Sequence, residues 1–356
     1  MPTGLRGVGK TVLLREFARI AESAGCSVIA LEAPENGTFV ASFGHKLRAT
    51  LLRLDAGPAS KLVTRALGVL KSFSLTEPHG FKLALDIDPA RGVGDSGILD
   101  LDLSDVLIAL GEAARDRKTG VLLDIDEVQY LGTDEFAALI VAIHQTTQRD
   151  LPIILVGAGL PQLPALSGEA KSYSERLFTF PVIGALDRNA AAEAITSPSR
   201  DLGVSFEKDG VARIIARSGG YAYFLQEYAY ASWNVAAGPD KITACDVIAA
   251  EPIVERKLDE NFFSVRIEQL TQAERRYLQT MAAQGTGPYR TAGIAKALNA
   301  TQNGLSTVRQ DLIDDGMAYA SGYGSIAFAV PMFDEFLRRH PIVKPTRNRP
   351  SRSGRV

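Results

Sequence analysis

The sequence predicts an α/β protein built on a parallel sheet with a phosphate-binding loop, followed by a helical region and a smaller module of helices and a hairpin. Three observations carry this. Helix-length and strand-length patterns alternate from the start to about Ala185, the rhythm a parallel sheet requires. The run Gly4-Leu5-Arg6-Gly7-Val8-Gly9-Lys10-Thr11 matches GxxxxGK[ST] and opens directly onto a helical pattern. The apolar run Val121-Leu122-Leu123 leads into Asp124-Ile125-Asp126-Glu127, which puts carboxylates at the end of a strand.

Taken in order, the first helix runs from Thr11 to about Ala24, and Ser27 to Leu31 is a short apolar strand behind Gly25. A helix from about Val40 to Leu54 follows. Between Gly57 and Asp102 the rhythm changes, with an amphipathic helix over Lys61 to Lys71 and a hairpin-like alternation over Phe81 to Ile87, which together read as an insertion. A helix from about Asp105 to Arg117 leads into the strand Val121 to Ile125, and one from about Thr133 to Arg149 into the strand Ile153 to Val156. From about Leu186 the pattern is helical: Asp187 and Thr243 are placed to cap helices, one helix ends near Gly219-Gly220, and Tyr221 to Val235 is rich in aromatics that read as core. Thr271-Gln272-Ala273-Glu274 has the spacing of a reciprocal helix cap. Helices over Thr291 to Leu298 and about Asn303 to Asp314 follow, then two strands around Gly322-Tyr323-Gly324. Three helices and a hairpin make a winged helix. The expected domains are therefore 1–185, 186–265 and 266–340, with a disordered basic tail over 341–356.

Composition narrows the function classes. A chain of 356 residues suits two or three domains, so phosphate binding is only part of its work. At 46% hydrophobic and 22% charged it reads as globular, with no apolar run of membrane-spanning length, and a glycine loop reached within a few residues leads us to expect a cytoplasmic protein. Cys26 and Cys245 stand far apart and read as small buried hydrophobes, not a disulfide or zinc site. With 39 basic against 41 acidic residues there is no global pull toward nucleic acid.

The chemistry starts from the loop. A triphosphate needs donors converging on its oxygens, and this spacing supplies glycine-permitted backbone N–H groups over Gly4, Arg6, Gly7, Val8 and Gly9, with Val12 closing the turn into the helix. Lys10 would reach the β- and γ-phosphates and Thr11 would ligate Mg2+. Asp126 is the second metal partner and Glu127 the candidate general base, against the plainer reading of an acidic turn that caps the next helix. Asp124 is unusual, since a carboxylate inside a buried strand is costly unless paired, protonated or turned to a cleft.

GLRGVGKT, LLDIDEVQYL, ILVGAGLPQL and SYSERLF, in that order, resemble the AAA+ ATPases, and among them the ATPases related to the origin-recognition and STAND groups. The resemblance spans nearly the whole chain. It implies a helical lid over the second region, a winged helix over the third, and ATP as ligand, there being no guanine-reading Asn-Lys-x-Asp. It also implies an arginine finger at Arg176, the alternative being an ordinary surface pair with Glu175. Two departures stand out: Gly157-Ala158-Gly159 offers no polar sensor after the strand, and tyrosines occupy the lid position of the sensing arginine, with Arg217 a weak substitute.

For DNA as a partner, Thr307, Arg309 and Gln310 lie on the third helix of the winged module, but Asp311, Asp314 and Asp315 share it and would repel phosphate. Arg338, Arg339 and the basic tail add candidate phosphate contacts. The expectation is an ATP switch, nucleotide lying between sheet and lid, that signals to DNA or a protein partner and is a candidate homo-oligomer. The rival is an adaptor that binds ATP without hydrolysing it; phosphoryl transfer to a small molecule is disfavoured because no second-substrate pocket is evident. Only Met1-Pro2-Thr3 precede Gly4, too few for a central strand of about five or six residues, so a truncated first strand and an exposed sheet edge are also expected.

Overall fold

The computed structural model describes residues 1–34, 37–56, 60–76, 85–238 and 240–341. They form two compact units, Met1–Gly4 with Gly9–Ile183, and Leu5–Val8 with the chain from Gly184 onward.

In the first unit α1 (Lys10–Ser23) leads to β1 (Ser27–Glu32), then α2 (Phe39–Asp55), α3 (Lys61–Thr76) and α4 (Leu99–Asp116), then β2 (Val121–Asp126), α5 (Thr133–Gln148) and β3 (Ile153–Gly157). The strands form a parallel sheet in the order β1-β2-β3, with Glu32 beside Asp126 and Ile125 beside Gly157. β2 is the central strand, flanked on both edges, and Val121–Ile125 are all buried, Asp124 among them. Its core is completed by Phe39, Phe43 and Leu47 of α2, Leu67 and Leu70 of α3, Leu107 and Leu110 of α4, and Leu139 and Ile140 of α5.

α4 begins six residues before the expected Asp105. Its start is set by Asp102, whose carboxylate accepts from Ser96 N (2.9 Å), Ser96 Oγ (2.7 Å) and Gly97 N (2.8 Å), and by Asp100 and Asp102 in the first turn, where acidic groups favour the helix dipole. The strand expected over Phe81 to Ile87 lies outside the described residues as far as 84. Leu85–Ile87 is irregular, because the Leu85 and Ile87 carbonyls accept from Lys71 Nζ instead of from a neighbouring strand.

The short start forms no strand, and Thr3 is joined on both sides by isolated bridges. Thr3 N donates to Pro181 O and Ile183 N to Thr3 O, while Gly4 N donates to Gly159 O and Gly159 N to Pro2 O. Along β3 itself, Ile153–Val156 pair only with β2 among the described residues, and Ile154 is 65% exposed. α6 (Leu163–Ala170) and α7 (Ser174–Leu177) follow.

The second unit opens with α8 (Arg188–Arg200), capped by Asp187 accepting from Asn189 N and Ala190 N, then β4 (Ser205–Phe206) and α9 (Lys208–Ser218), which ends at Gly219 with φ 60°. α10 (Ala222–Val235), β5 (Lys241–Ile242) and α11 (Ala244–Leu258) follow, the last started by a reciprocal Thr243–Asp246 cap. Of the α10 aromatics expected in the core, Phe224 and Tyr228 are, with Tyr221 just ahead of the helix, whereas Tyr230 (65% exposed) and Trp233 (38%) face out. After a π-turn over Asp259–Phe263 come α12 (Ser264–Glu268), α13 (Gln272–Ala282), β6 (Tyr289–Arg290), α14 (Thr291–Ala297), α15 (Ser306–Asp314), β7 (Ala318–Gly322), β8 (Ser325–Phe328) and α16 (Phe333–Arg339). The last three strands form an antiparallel sheet, β6-β8-β7. α16 was not expected; Phe333 and Phe336 dock it on Phe263 with ring centroids 5.4 and 5.1 Å apart. Beyond Pro341 the basic tail lies outside the described residues. Cys26 is half-buried and Cys245 exposed, so neither is the fully buried hydrophobe expected; both are free thiols.

Candidate functional site

The site is built where β2 and β3 end and α1 begins. Gly9 adopts a left-handed conformation (φ 101°) as the residue before α1, and Gly7 does so too (φ 85°), which glycine alone does without steric cost. A β-carbon at Gly7 would stand 2.9 Å from the Tyr221 ring, and Gly7 O accepts from Tyr223 N at 3.0 Å, so the middle of the loop belongs structurally with the start of α10. Lys10 is buried, and its Nζ donates to Gly4 O at 2.9 Å, one end of the loop holding the other. Val8 is buried and Val12 is exposed.

Thr11 Oγ1 donates to Asp126 Oδ2 at 2.6 Å, joining residues 115 positions apart. The other Asp126 oxygen accepts from Glu127 N at 2.9 Å. Both oxygens of the carboxylate are thereby oriented. A hydroxyl and a carboxylate are hard oxygen donors of the kind magnesium takes, with phosphates and water completing its shell. Among the described residues no group of three or more His, Cys, Asp or Glu is placed to hold a metal unaided, so the pair fits a cation that arrives with phosphate rather than an all-protein cage.

Glu127 begins the turn after β2 with φ 52°, and Val128–Tyr130 form one 3-10 turn. Its carboxylate accepts from Gln129 Nε2, and Gln129 Oε1 accepts from Leu160 N at 3.1 Å. The sequence reading did not single out Gln129. A glutamine two residues past an acidic pair carries no periodic or spacing signal, and its partner Leu160 lies on another segment. Asp124 is buried in β2 with Oδ1 lacking a hydrogen-bond partner among the described residues; burial, and then the neighbouring Asp126 charge, push its carboxyl up to about 6.

Other candidates do not join this cluster by any contact. Arg176 is exposed on α7, and its guanidinium makes no ion pair among the described residues, with Glu175 or otherwise. Arg217 forms an ion pair with Glu255. Arg338 is held by Asp334 and by the Ala282 and Gly285 carbonyls, and Arg339 by Asp259 at 2.8 Å, so the two cations expected to meet phosphate fasten α16 instead.

Residues 3–156 match the family model described as an AAA ATPase domain, and residues 260–337 match a domain of unknown function (DUF8462). No curated protein is significantly similar to the sequence. Among solved structures the chain is similar to a Walker-type ATPase of Pyrococcus abyssi, at 14% identity and a TM-score of 0.63, over 95% of this chain and 90% of that one. It is less similar to a variant of RuvB from Thermotoga maritima (18% identity, TM-score 0.46, 92% and 83% covered) and to Cdc6p from Pyrobaculum aerophilum (15%, 0.43, 94% and 84%). With the β1-β2-β3 sheet and the loop before α1, the family-model match and the likeness to the Pyrococcus abyssi ATPase give the fold as that of an AAA+ P-loop NTPase with a further C-terminal domain.

Proposed function

We propose that the chain is an ATP-binding switch of slow turnover, related to the origin-recognition and STAND groups, which passes its nucleotide state to a partner through a C-terminal winged helix. The observation that carries this is the 2.6 Å contact between Thr11 and Asp126, which brings loop and strand end together with Glu127 next in the chain. In this reading the N–H groups of Gly4–Gly9 and Lys10 grip the phosphates. Thr11 and Asp126 hold Mg2+, which when bound neutralises phosphate charge. Glu127 accepts the proton of the attacking water. Arg176, exposed and without an ion pair among the described residues, would serve a neighbouring copy in a homo-oligomer. ATP is preferred over GTP for want of a guanine-reading motif. The helix order α13, α14, α15 followed by the β7–β8 hairpin supports the winged-helix assignment. Two free thiols suit the cytoplasm, and among the described residues no helix is long and apolar enough to cross a membrane.

One observation favours a second reading, that of an adaptor in which ATP is a structural ligand. Gly157-Ala158-Gly159 brings no polar side chain to the end of β3, and Arg217 is tied to Glu255. ATP hydrolysis by the purified chain, measured with and without duplex DNA while oligomeric state is followed, separates the two. The switch predicts measurable turnover that Glu127→Gln suppresses; bound ATP with no turnover in either condition leaves the adaptor.

A further inference from the structure

The end of β3 is not without polar chemistry, because a side chain from the turn after β2 reaches the residues that follow it. Val128 N donates to Ala158 O at 2.9 Å and Ala158 N to Ile125 O at 2.8 Å, so the turn after β2 lies along the end of β3. Both flanking glycines leave space for this approach, and neither has a positive φ. A β-carbon at Gly157 would lie 2.8 Å from Val128 Cγ2, and one at Gly159 would lie 2.8 Å from Gln129 Oε1. Of the two glycines that deny the strand a sensor side chain, Gly157 makes room for Val128 and Gly159 for Gln129.

The orientation of the Gln129 carboxamide is fixed by its partners. Leu160 N–H is a donor, so the carboxamide must turn its oxygen to it. Its NH2 then faces the Glu127 carboxylate, which can only accept. Neither end could be exchanged without setting donor against donor and acceptor against acceptor. The same strand end is tied to the loop, since Gly4 N donates to Gly159 O and Gly159 N to Pro2 O. Gln129 therefore connects the candidate base to the strand beside the phosphate loop.

We propose that Gln129 is a positioning residue for ATP hydrolysis: anchored on Leu160, its carboxamide holds the Glu127 carboxylate in the orientation that receives the water proton and supplies the polar group that the strand end lacks. This rests on the reading of Glu127 as general base. A glutamate has three freely rotating side-chain bonds, and a base aimed by a fixed donor need not be ordered at each turnover. A second amide hydrogen on Nε2 remains to be directed at water or phosphate.

The test compares the full chain with Gln129→Ala, Gln129→Met, Glu127→Gln and the Gln129→Ala/Glu127→Gln double variant, measuring kcat, KM, direct Mg·ATP affinity and Tm. Gln129→Ala should lower kcat by about 10- to 100-fold, a fraction of what a general base contributes, with Mg·ATP affinity within about twofold of the parent. Gln129→Met fills the same space without an amide and should match Gln129→Ala in kcat while keeping the parental Tm. The double variant should turn over no more slowly than Glu127→Gln alone, since one residue acts through the other. Parental kcat in Gln129→Met would reduce the residue to packing and overturn the proposal, and a faster Gln129→Ala would make it a brake and overturn it equally. If Glu127→Gln slows turnover and the Gln129 variants do not, this inference alone fails; if Glu127→Gln is unaffected, the base assignment fails with it.

Discussion

The end of the β-sheet and the C-terminal module were both expected to meet phosphate, and they use their polar groups in opposite ways. At the sheet, Thr11 Oγ1 meets Asp126 across 115 positions and Gln129 meets Leu160 N from another segment, while Lys10 holds Gly4 O and Gln129 holds Glu127, so side chains from several segments converge on one place. In the C-terminal module three cations hold elements to one another. Arg338 closes α16 onto the end of α13, Arg339 pairs with Asp259, and Arg275 donates to the Leu270 and Glu268 carbonyls. Convergence of a lysine, a hydroxyl and carboxylates beside a glycine loop marks a candidate ligand site, whereas charge of the right sign on the expected helix does not by itself.

The largest effect that would break this comparison is at Lys10. Lys10→Ala removes a buried ammonium, and with two charge-assisted contacts at about 1.5 kcal/mol or more each, ATP affinity should fall by about 100-fold or more. Calorimetric titration checks it, and affinity within twofold of the parent would remove the loop from the site.

Much of this region was legible in the sequence because the loop, the strand and the acidic pair each have a local signature. Gly4 to Thr11 has fixed spacing, Val121–Leu123 is an apolar run that leads into carboxylates, and the caps at Asp187, Thr243 and Thr271 are side-chain to backbone bonds within three residues. What was missed depends on distant partners. Gln129 is defined by Leu160, α16 by Phe263, the start of α4 by a loop that Asp102 closes, and the pairing of Thr3 by segments about 156 and 179 residues away. The exposed faces of Tyr230 and Trp233 were hidden for the same reason, since an aromatic on a helix does not say which side its neighbours occupy.

The next effect concerns Asp124, which shares the strand but not the network. Its carboxyl is pushed up to about 6 from 3.8, so the folded chain holds this proton more tightly than the unfolded one. Between about pH 4 and 6 the native state therefore carries more protons, and stability falls as pH rises through that window. Asp124→Asn, neutral throughout, should stabilise the nucleotide-free protein by up to about 3 kcal/mol at pH 8, with the difference vanishing below about pH 4. Denaturant unfolding at both pH values measures it. A pH-independent difference would mean that the buried charge is compensated.

A smaller effect should follow from Thr11→Val, which removes the hydroxyl beside Asp126 while keeping shape. The magnesium-dependent part of ATP affinity should drop about tenfold, the worth of one hydrogen bond to a charged group, whereas affinity in chelator should stay near the parental value. Equal losses with and without magnesium would assign Thr11 to phosphate instead.

The smallest expected effect is at Arg339, and it sharpens the contrast from the other side. Its ion pair with Asp259 is half-exposed, and pairs of that kind contribute about 0 to 1 kcal/mol, so Arg339→Ala should lower Tm by no more than about 2 to 4 °C. Because the guanidinium is already engaged, any affinity for duplex DNA, and its slope against salt, should be unchanged by the substitution. A phosphate contact would behave differently: losing it would weaken binding uniformly across sequences and reduce the salt slope by about one. If that pattern appears, Arg339 leaves Asp259 for DNA when the partner arrives, and the C-terminal module would then be a site whose fastening contacts are exchanged for ligand contacts.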